Sequence, residues 1–172
     1  MSGTFYITTD REGDKGEFKI FNSPQEAFIA YELGKIAMHS RVFVRLSNRT
    51  QVVPDDKSGP QPIEGVSYKQ IEEQRKRKKP DYVGKPQPAN YKSKVILTTV
   101  GRCIFNDILP KQMPFYNYAL TAKGASRVIA DTYERLGRPA TIKLLDDMKS
   151  LGFKRSTLAA LKIGRASSRE RV

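Results

Sequence analysis

Bulky and polar residues alternate along two short stretches, Phe5–Thr9 and Glu17–Phe21. A period of two marks half-buried strands, and the DREGDKG between them, with two glycines, suits a hairpin turn. SPQEAFIAYELG then switches to helical spacing. Ser23 is placed to cap it, Pro24 fits the first helical position, Glu26 completes a capping box and Gly34 ends it, with Ala27, Ala30, Tyr31 and Leu33 as the inner face. RVFVRL (41–46) reads as a strand with Val42, Val44 and Leu46 on one side.

From Asn48 to Pro62 prolines and a glycine sit among polar residues, which predicts loop. YKQIEEQRKRKKP suits a short polar helix that Pro80 stops. DYVGKPQPANYKSK is again rich in Pro and Gly. Pattern returns with the strand KVILTT and with VGRCIFNDILP, where Val100, Ile104, Ile108 and Leu109 have helical spacing. KQMPFYNYAL predicts an aromatic-rich loop. Thr121 can cap a helix with Val128, Ile129, Thr132 and Leu136 inward and Gly137 as its stop. RPATIKLLDDMKSLG predicts a second helix with Ile142, Leu145 and Met148 inward, forming an antiparallel helical hairpin with the first. The expected fold class is therefore α+β: a small mixed domain of short strands and a helical hairpin, with an irregular basic insertion. The expected parts are 4–47, the insertion or linker 48–93, the strand and hairpin 94–162, and a tail 163–172.

Composition sharpens this. The 172 residues are 38% hydrophobic and 28% charged, which suits a soluble globular chain. No apolar run reaches the roughly 20 residues of a membrane span, and the first residues lack the build of a signal peptide. A single cysteine, Cys103, excludes an internal disulfide and fits a reducing, cytoplasmic compartment. The net charge of +13 favours polyanion partners. Nine Lys or Arg against three acids fall between Lys69 and Lys94. Within that stretch Arg75, Lys76, Arg77, Lys78 and Lys79 are the candidates for phosphate contact, although no aromatics interleave them for base stacking.

Self-contained catalysis finds no support. Phosphate-cradling glycine loops are absent. The only histidine, His39, has no named triad or zinc partners. Asp146 and Asp147 are adjacent on a helix and diverge by about 100°, so they read as a solvated face. Cys103 lies in an apolar helix and reads as a small buried hydrophobe. No catalytic, cofactor-binding or metal-binding residue is assigned.

Five motifs go further: Thr98-Thr99-Val100-Gly101-Arg102, Ile108-Leu109-Pro110, Pro114-Phe115 with Asn117, Tyr133 to Gly137, and Leu151-Gly152-Phe153 with Ser156-Thr157. In register over about 60 residues, they resemble the T-T-V-G-R, I-L-P, P-F-x-N, Y-R-x-L-G and L-G-F-x-x-[AS]-T pattern of the β′ (largest) subunit of bacterial DNA-directed RNA polymerase. The first half is similar to the stretch shortly after that family's catalytic aspartate loop, departing at Phe18, where glycine is usual, and at Met38-His39-Ser40. The likeness covers roughly Phe5–Leu46 and Val95–Thr157.

The resemblance implies a part of the pore region of β′, walling the secondary channel through which nucleoside triphosphates reach the active site. Arg102 and Arg135, within the motifs, become candidates for the channel wall or an interface; for Arg102 the alternative is a tie between the strand–helix junction and its neighbour. The family's Mg²⁺-binding N-A-D-F-D-G-D loop is not in this chain, so magnesium is implied only for the complete enzyme, a nucleotidyltransferase. Implied partners are the β, α, ω and sigma subunits, with DNA template, RNA and triphosphates, and no membrane. The alternative is a free-standing basic nucleic-acid-binding protein. The closing IGRASSRERV is similar to a translated sequencing adapter, I-G-R-A-S-C-R-E-R-V, differing at Ser168, so from Ile163 or Gly164 the tail is expected to be non-native.

Overall fold

The computed structural model describes residues 2–47, 50–54, 73, 76 and 93–152. The remainder of the basic stretch 55–92 and everything from 153, including the suspected tail, lies outside the described residues. Helix α1 (Ser2–Thr8) is followed by β1 (Ile20–Phe21), α2 (Pro24–Glu32), β2 (Val42–Ser47), β3 (Val52–Pro54) and β4 (Ser93–Thr98). Helix α3 (Val100–Asp107), β5 (Phe115–Asn117), α4 (Ala122–Leu136) and helix α5 (138–152) complete the order. The class is α+β, as expected.

Strands β1, β2 and β4 form one sheet in that order. β1 runs parallel to β2, pairing Ile20 with Phe43. β2 runs antiparallel to β4, from Val42 opposite Thr98 to Ser47 opposite Ser93. Alternation along β2 divides the side chains between two faces. Val42, Val44 and Leu46 enter the main core with Ile96, Val100, Ile104 and Phe105. Phe43 and Val95 pack on the other face against Phe18, Ile20 and Leu97. A second, two-stranded sheet pairs β3 with β5 in parallel, Val52 opposite Phe115.

Capping signals translate directly. Ser23 Oγ accepts from Glu26 N at 3.2 Å, and Glu26 Oε2 accepts from Asn22 N at 2.8 Å. Thr99 and Thr121 cap α3 and α4 in the same way, accepting from Arg102 N and Gly124 N. Each cap satisfies an amide that the first helical turn leaves without a partner.

The expectations fail in four places. Phe5–Thr9 lies largely in helix α1, so no hairpin joins it to β1. Thr4, Ile7 and Thr8 are buried together, the i, i+3, i+4 spacing of a helix face. The Thr8 and Thr9 hydroxyls donate back to Thr4 O and Phe5 O, at 2.7 and 2.8 Å, which accommodates β-branched residues in a helix. Secondly, two expected loops supply β3 and β5, each three residues long and too short to show a period. Thirdly, Leu33, the residue that caps the end of α2, points outward. Finally, α5 buries Thr141, Leu144, Met148 and Leu151, leaving Ile142 and Leu145 exposed.

Candidate functional site

The T-T-V-G-R motif becomes a crossing point of three elements. Gly101 lies directly under α1: a Cβ there would overlap the Ile7 carbonyl oxygen. Thr99 caps the helix, so Arg102 leaves its first turn toward the end of α1. Arg102 Nε donates to Thr8 O at 2.9 Å, Nη1 to Asn117 Oδ1 at 3.2 Å and Nη2 to Asp10 Oδ1 at 3.3 Å. Its side chain is only 11% exposed. Asn117, the asparagine of the P-F-x-N motif, also donates through Nδ2 to Leu97 O at 2.8 Å. Two motifs that are separate in sequence thus share one hydrogen-bonded node, and the guanidinium charge in it faces the Asp10 carboxylate.

Asn106, one turn along α3, holds the other side of β5. Its Oδ1 accepts from Tyr116 N at 2.8 Å and its Nδ2 donates to Tyr116 O at 3.1 Å, imitating a neighbouring strand. The buried Tyr116 hydroxyl donates to Asp131 Oδ2 at 2.8 Å. Burial raises the Tyr116 phenol above its ordinary value, and the bond to Asp131 and its negative charge add to that. Asp10, Asn106 and Asp131 have no pattern of their own in the sequence. Short polar side chains signal a role only once the backbone groups they satisfy are located.

Arg135 lies elsewhere. It stands in the last turn of α4, exposed, with Nη2 3.4 Å from Gln51 Oε1. With Thr50 and Gln51 on one side and the 111–114 turn on the other, it lines a cavity of about 300 Å³ that also receives Lys111. Of the basic run, Lys76 is exposed, while Arg75, Arg77, Lys78 and Lys79 lie outside the described residues.

The remaining candidates take quiet positions. His39 is buried, with Nδ1 2.8 Å from Thr9 O and its ring edge-on to Tyr6. Asp147 pairs with Lys143 at 2.7 Å, while Asp146 is exposed. Cys103 is buried among apolar side chains, which pushes its thiol up to about 12, the opposite of an activated nucleophile. Among the described residues no three His, Cys, Asp or Glu side chains gather to hold a metal ion. None of the described helices is long and apolar enough to cross a membrane.

Known proteins place this architecture. The model of the family "RNA polymerase Rpb1, domain 3" matches residues 1–165. DNA-directed RNA polymerase subunit beta' of Desulforamulus reducens is 31% identical over 162 residues, covering 94% of this chain and 10% of the relative. The same subunit from Aquifex aeolicus is 34% identical over 94% of the chain and 8% of the relative. That from Rhodopirellula baltica is 33% identical over 94% and 9%. The chain therefore spans about a tenth of the length of these relatives. With a family model matched across both halves of the chain, and with two motifs of the second half meeting in one node, the chain belongs to the RNA polymerase Rpb1 domain 3 family.

Proposed function

We propose that this chain is a segment of the β′ subunit of bacterial DNA-directed RNA polymerase, acting in DNA-templated RNA synthesis as part of the secondary-channel wall. The observation that carries this reading is the match of 94% of the chain to a tenth of each β′ relative. Nucleotidyl transfer then belongs to the assembled cytoplasmic enzyme, with its β, α, ω and sigma subunits on template DNA. Its magnesium belongs to aspartates outside this chain. Among the described residues no three His, Cys, Asp or Glu side chains gather to hold such an ion, and Asp147, Asp131 and Asp10 are held by Lys143, Tyr116 and Arg102. No step of the chemistry is therefore assigned to a residue here.

In this reading the segment contributes shape and field. Arg102 keeps the junction of α1, α3 and β5 rigid from within, while Arg135 presents its charge at the surface. A positive wall on a narrow passage concentrates triphosphates by focusing the field. The alternative of a free-standing nucleic-acid binder rests on net charge alone, and no contact among the described residues favours it.

Two measurements test the reading. The purified 172-residue chain, given primer, template, Mg²⁺ and triphosphates, is expected to extend nothing; extension would contradict it. In polymerase assembled with this segment and halted in a backtracked state, a photoreactive RNA 3′ end is expected to crosslink to the Arg135 face. Crosslinks confined to other parts of β′ would remove the channel assignment while leaving the family intact.

A further inference from the structure

The cavity at Arg135 collects charge without neutralising it. Arg11, Arg41, Arg102, Arg127 and Lys143 each face a carboxylate, at 2.7 to 3.9 Å. Lys111 and Arg135 line one cavity and have no carboxylate at ion-pair distance among the described residues. Glu134 is the neighbour of Arg135 in sequence, but adjacent helical positions diverge by about 100°. The other polar lining is neutral and able to donate: the Thr50 hydroxyl and the Gln51 and Gln112 amides.

The frame around these groups is stiff. Gln51 O accepts from Phe115 N at 2.8 Å, and the β3–β5 pairing continues from there. The 111–114 turn is closed by Met113 N donating to Pro110 O at 3.0 Å. Arg135 is held at the end of α4, where Gly137 stops the helix, and its guanidinium is oriented by Gln51. A helix C-terminus carries partial negative charge, which favours a cation at this position. Two cations and several donors around an open space, with no acid among the described lining residues, are the complement of an oxyanion. At about 300 Å³ the space reaches the lower end of small-molecule sites, enough for several linked phosphates.

We propose that this cavity binds the phosphates of a small polyphosphate-bearing molecule, with Lys111 and Arg135 supplying charge and Gln51, Gln112 and Thr50 supplying hydrogen bonds. The site rests on these residues and goes beyond the channel reading, so its failure would leave that reading standing.

The test is a titration of the isotope-labelled 172-residue chain with sodium tripolyphosphate, against sodium chloride at matched ionic strength. It follows the Gln51 and Gln112 side-chain amides and the Arg135 Nε–H by magnetic resonance. Saturable shifts are expected with tripolyphosphate only. K111Q and R135Q should each weaken binding about tenfold, the size of one lost charge-assisted hydrogen bond. K35Q, which removes an exposed charge outside the cavity, should leave it unchanged. Lys111 is exposed on a turn, so K111Q keeps the test decisive if R135Q disturbs the helix end. A parallel titration with ATP separates the sources: equal affinity assigns the site to phosphates alone, tighter binding extends it to sugar and base. Absence of saturable shifts at these groups, or an equal loss in K35Q, would overturn the site and leave only diffuse attraction to a basic chain.

Discussion

Phe18 is where a single residue departs most clearly from what its backbone prefers. Its φ is 64°, the left-handed region, and it is the one described non-glycine residue there. Its amide donates to Arg41 O at 2.7 Å, and its ring lies beneath the Arg41 guanidinium and beside Phe43. The related β′ pattern usually has glycine here, and the geometry explains why: a side chain costs about 1–2 kcal/mol in this conformation. The ring offsets that cost by covering the outer face of the sheet. Removing it without removing the strain should therefore be worse than removing both. F18A is expected to fall below F18G by about 1 kcal/mol in denaturant unfolding, with both below the parent chain. An Ala variant as stable as the Gly variant would show that the position is not left-handed in solution.

Cys103 gives a second prediction at this scale. Burial raises its thiol from an ordinary 9.0 to about 12, eased by the nearby Arg102 charge and reinforced by Asp107. The folded chain then holds this proton more tightly than the unfolded one. Its contribution to stability is complete below pH 9 and is lost as the pH rises toward 12. The stability difference between the parent chain and C103A is expected to shrink by about 1 kcal/mol between pH 9 and 10. Using that difference cancels titrations common to both chains, including the raised Tyr116 phenol. A difference constant across that interval would place the thiol in contact with water.

At the scale of elements, α1 shows how packing overrides local preference. Phe5–Thr9 carries an aromatic pair and β-branched residues in a strand-like order, and propensity alone favours a strand. Burial of Thr4, Ile7 and Thr8 against α3 decides for the helix, and that contact exists only because Gly101 lets the Ile7 carbonyl approach. In an isolated helix Gly→Ala stabilises by about 1 kcal/mol. Here G101A is expected to destabilise by at least about 2 kcal/mol and to increase amide exchange in α1 first. A G101A chain with raised stability would mean that α1 does not dock as described. The same principle accounts for α5. Its sequence offers an apolar series at 142, 145 and 148, spaced by three throughout, and a second series, Thr141 with apolar 144, 148 and 151, spaced three, four, three. Only the second follows 3.6 residues per turn, and it is the buried one. The capped helices α2 and α4 and the long strands β2 and β4 were legible because Ser23 and Thr121 act within a few residues, whereas the Thr99 cap of α3 was read as the end of the strand before it. The three-residue strands β3 and β5 were not, because their pairing depends on contacts some 60 residues apart. Of the sites, Arg102 and Asn117 were marked by motifs. Lys111 and Gln51 became visible only when the second sheet brought their loops together.

At the scale of the whole molecule, charge and apolar surface pull against each other. A net charge of +13 opposes association through like-charge repulsion. Yet Ile29 and Leu33 stand 60% and 68% exposed on one side of α2, one helical turn apart, and Tyr133, Ile142 and Leu145 are exposed on the two C-terminal helices. Repulsion between exposed charges is screened beyond about 10 Å at 0.1 M salt, whereas apolar attraction is not. The 172-residue chain should therefore be most soluble at low ionic strength and begin to associate as salt rises. Replacing both α2 residues, I29E with L33E, should suppress the rise in light scattering between low and high salt. It should shift the thermal midpoint little, because neither side chain is buried. Should scattering rise equally in the double variant, association would start from another surface, and the exposed residues of the C-terminal helices would be the next to change. If the midpoint fell sharply instead, Ile29 and Leu33 would be core residues, which their exposure contradicts. The two readouts separate surface from core at the same positions, and together they decide whether α2 presents an open apolar face.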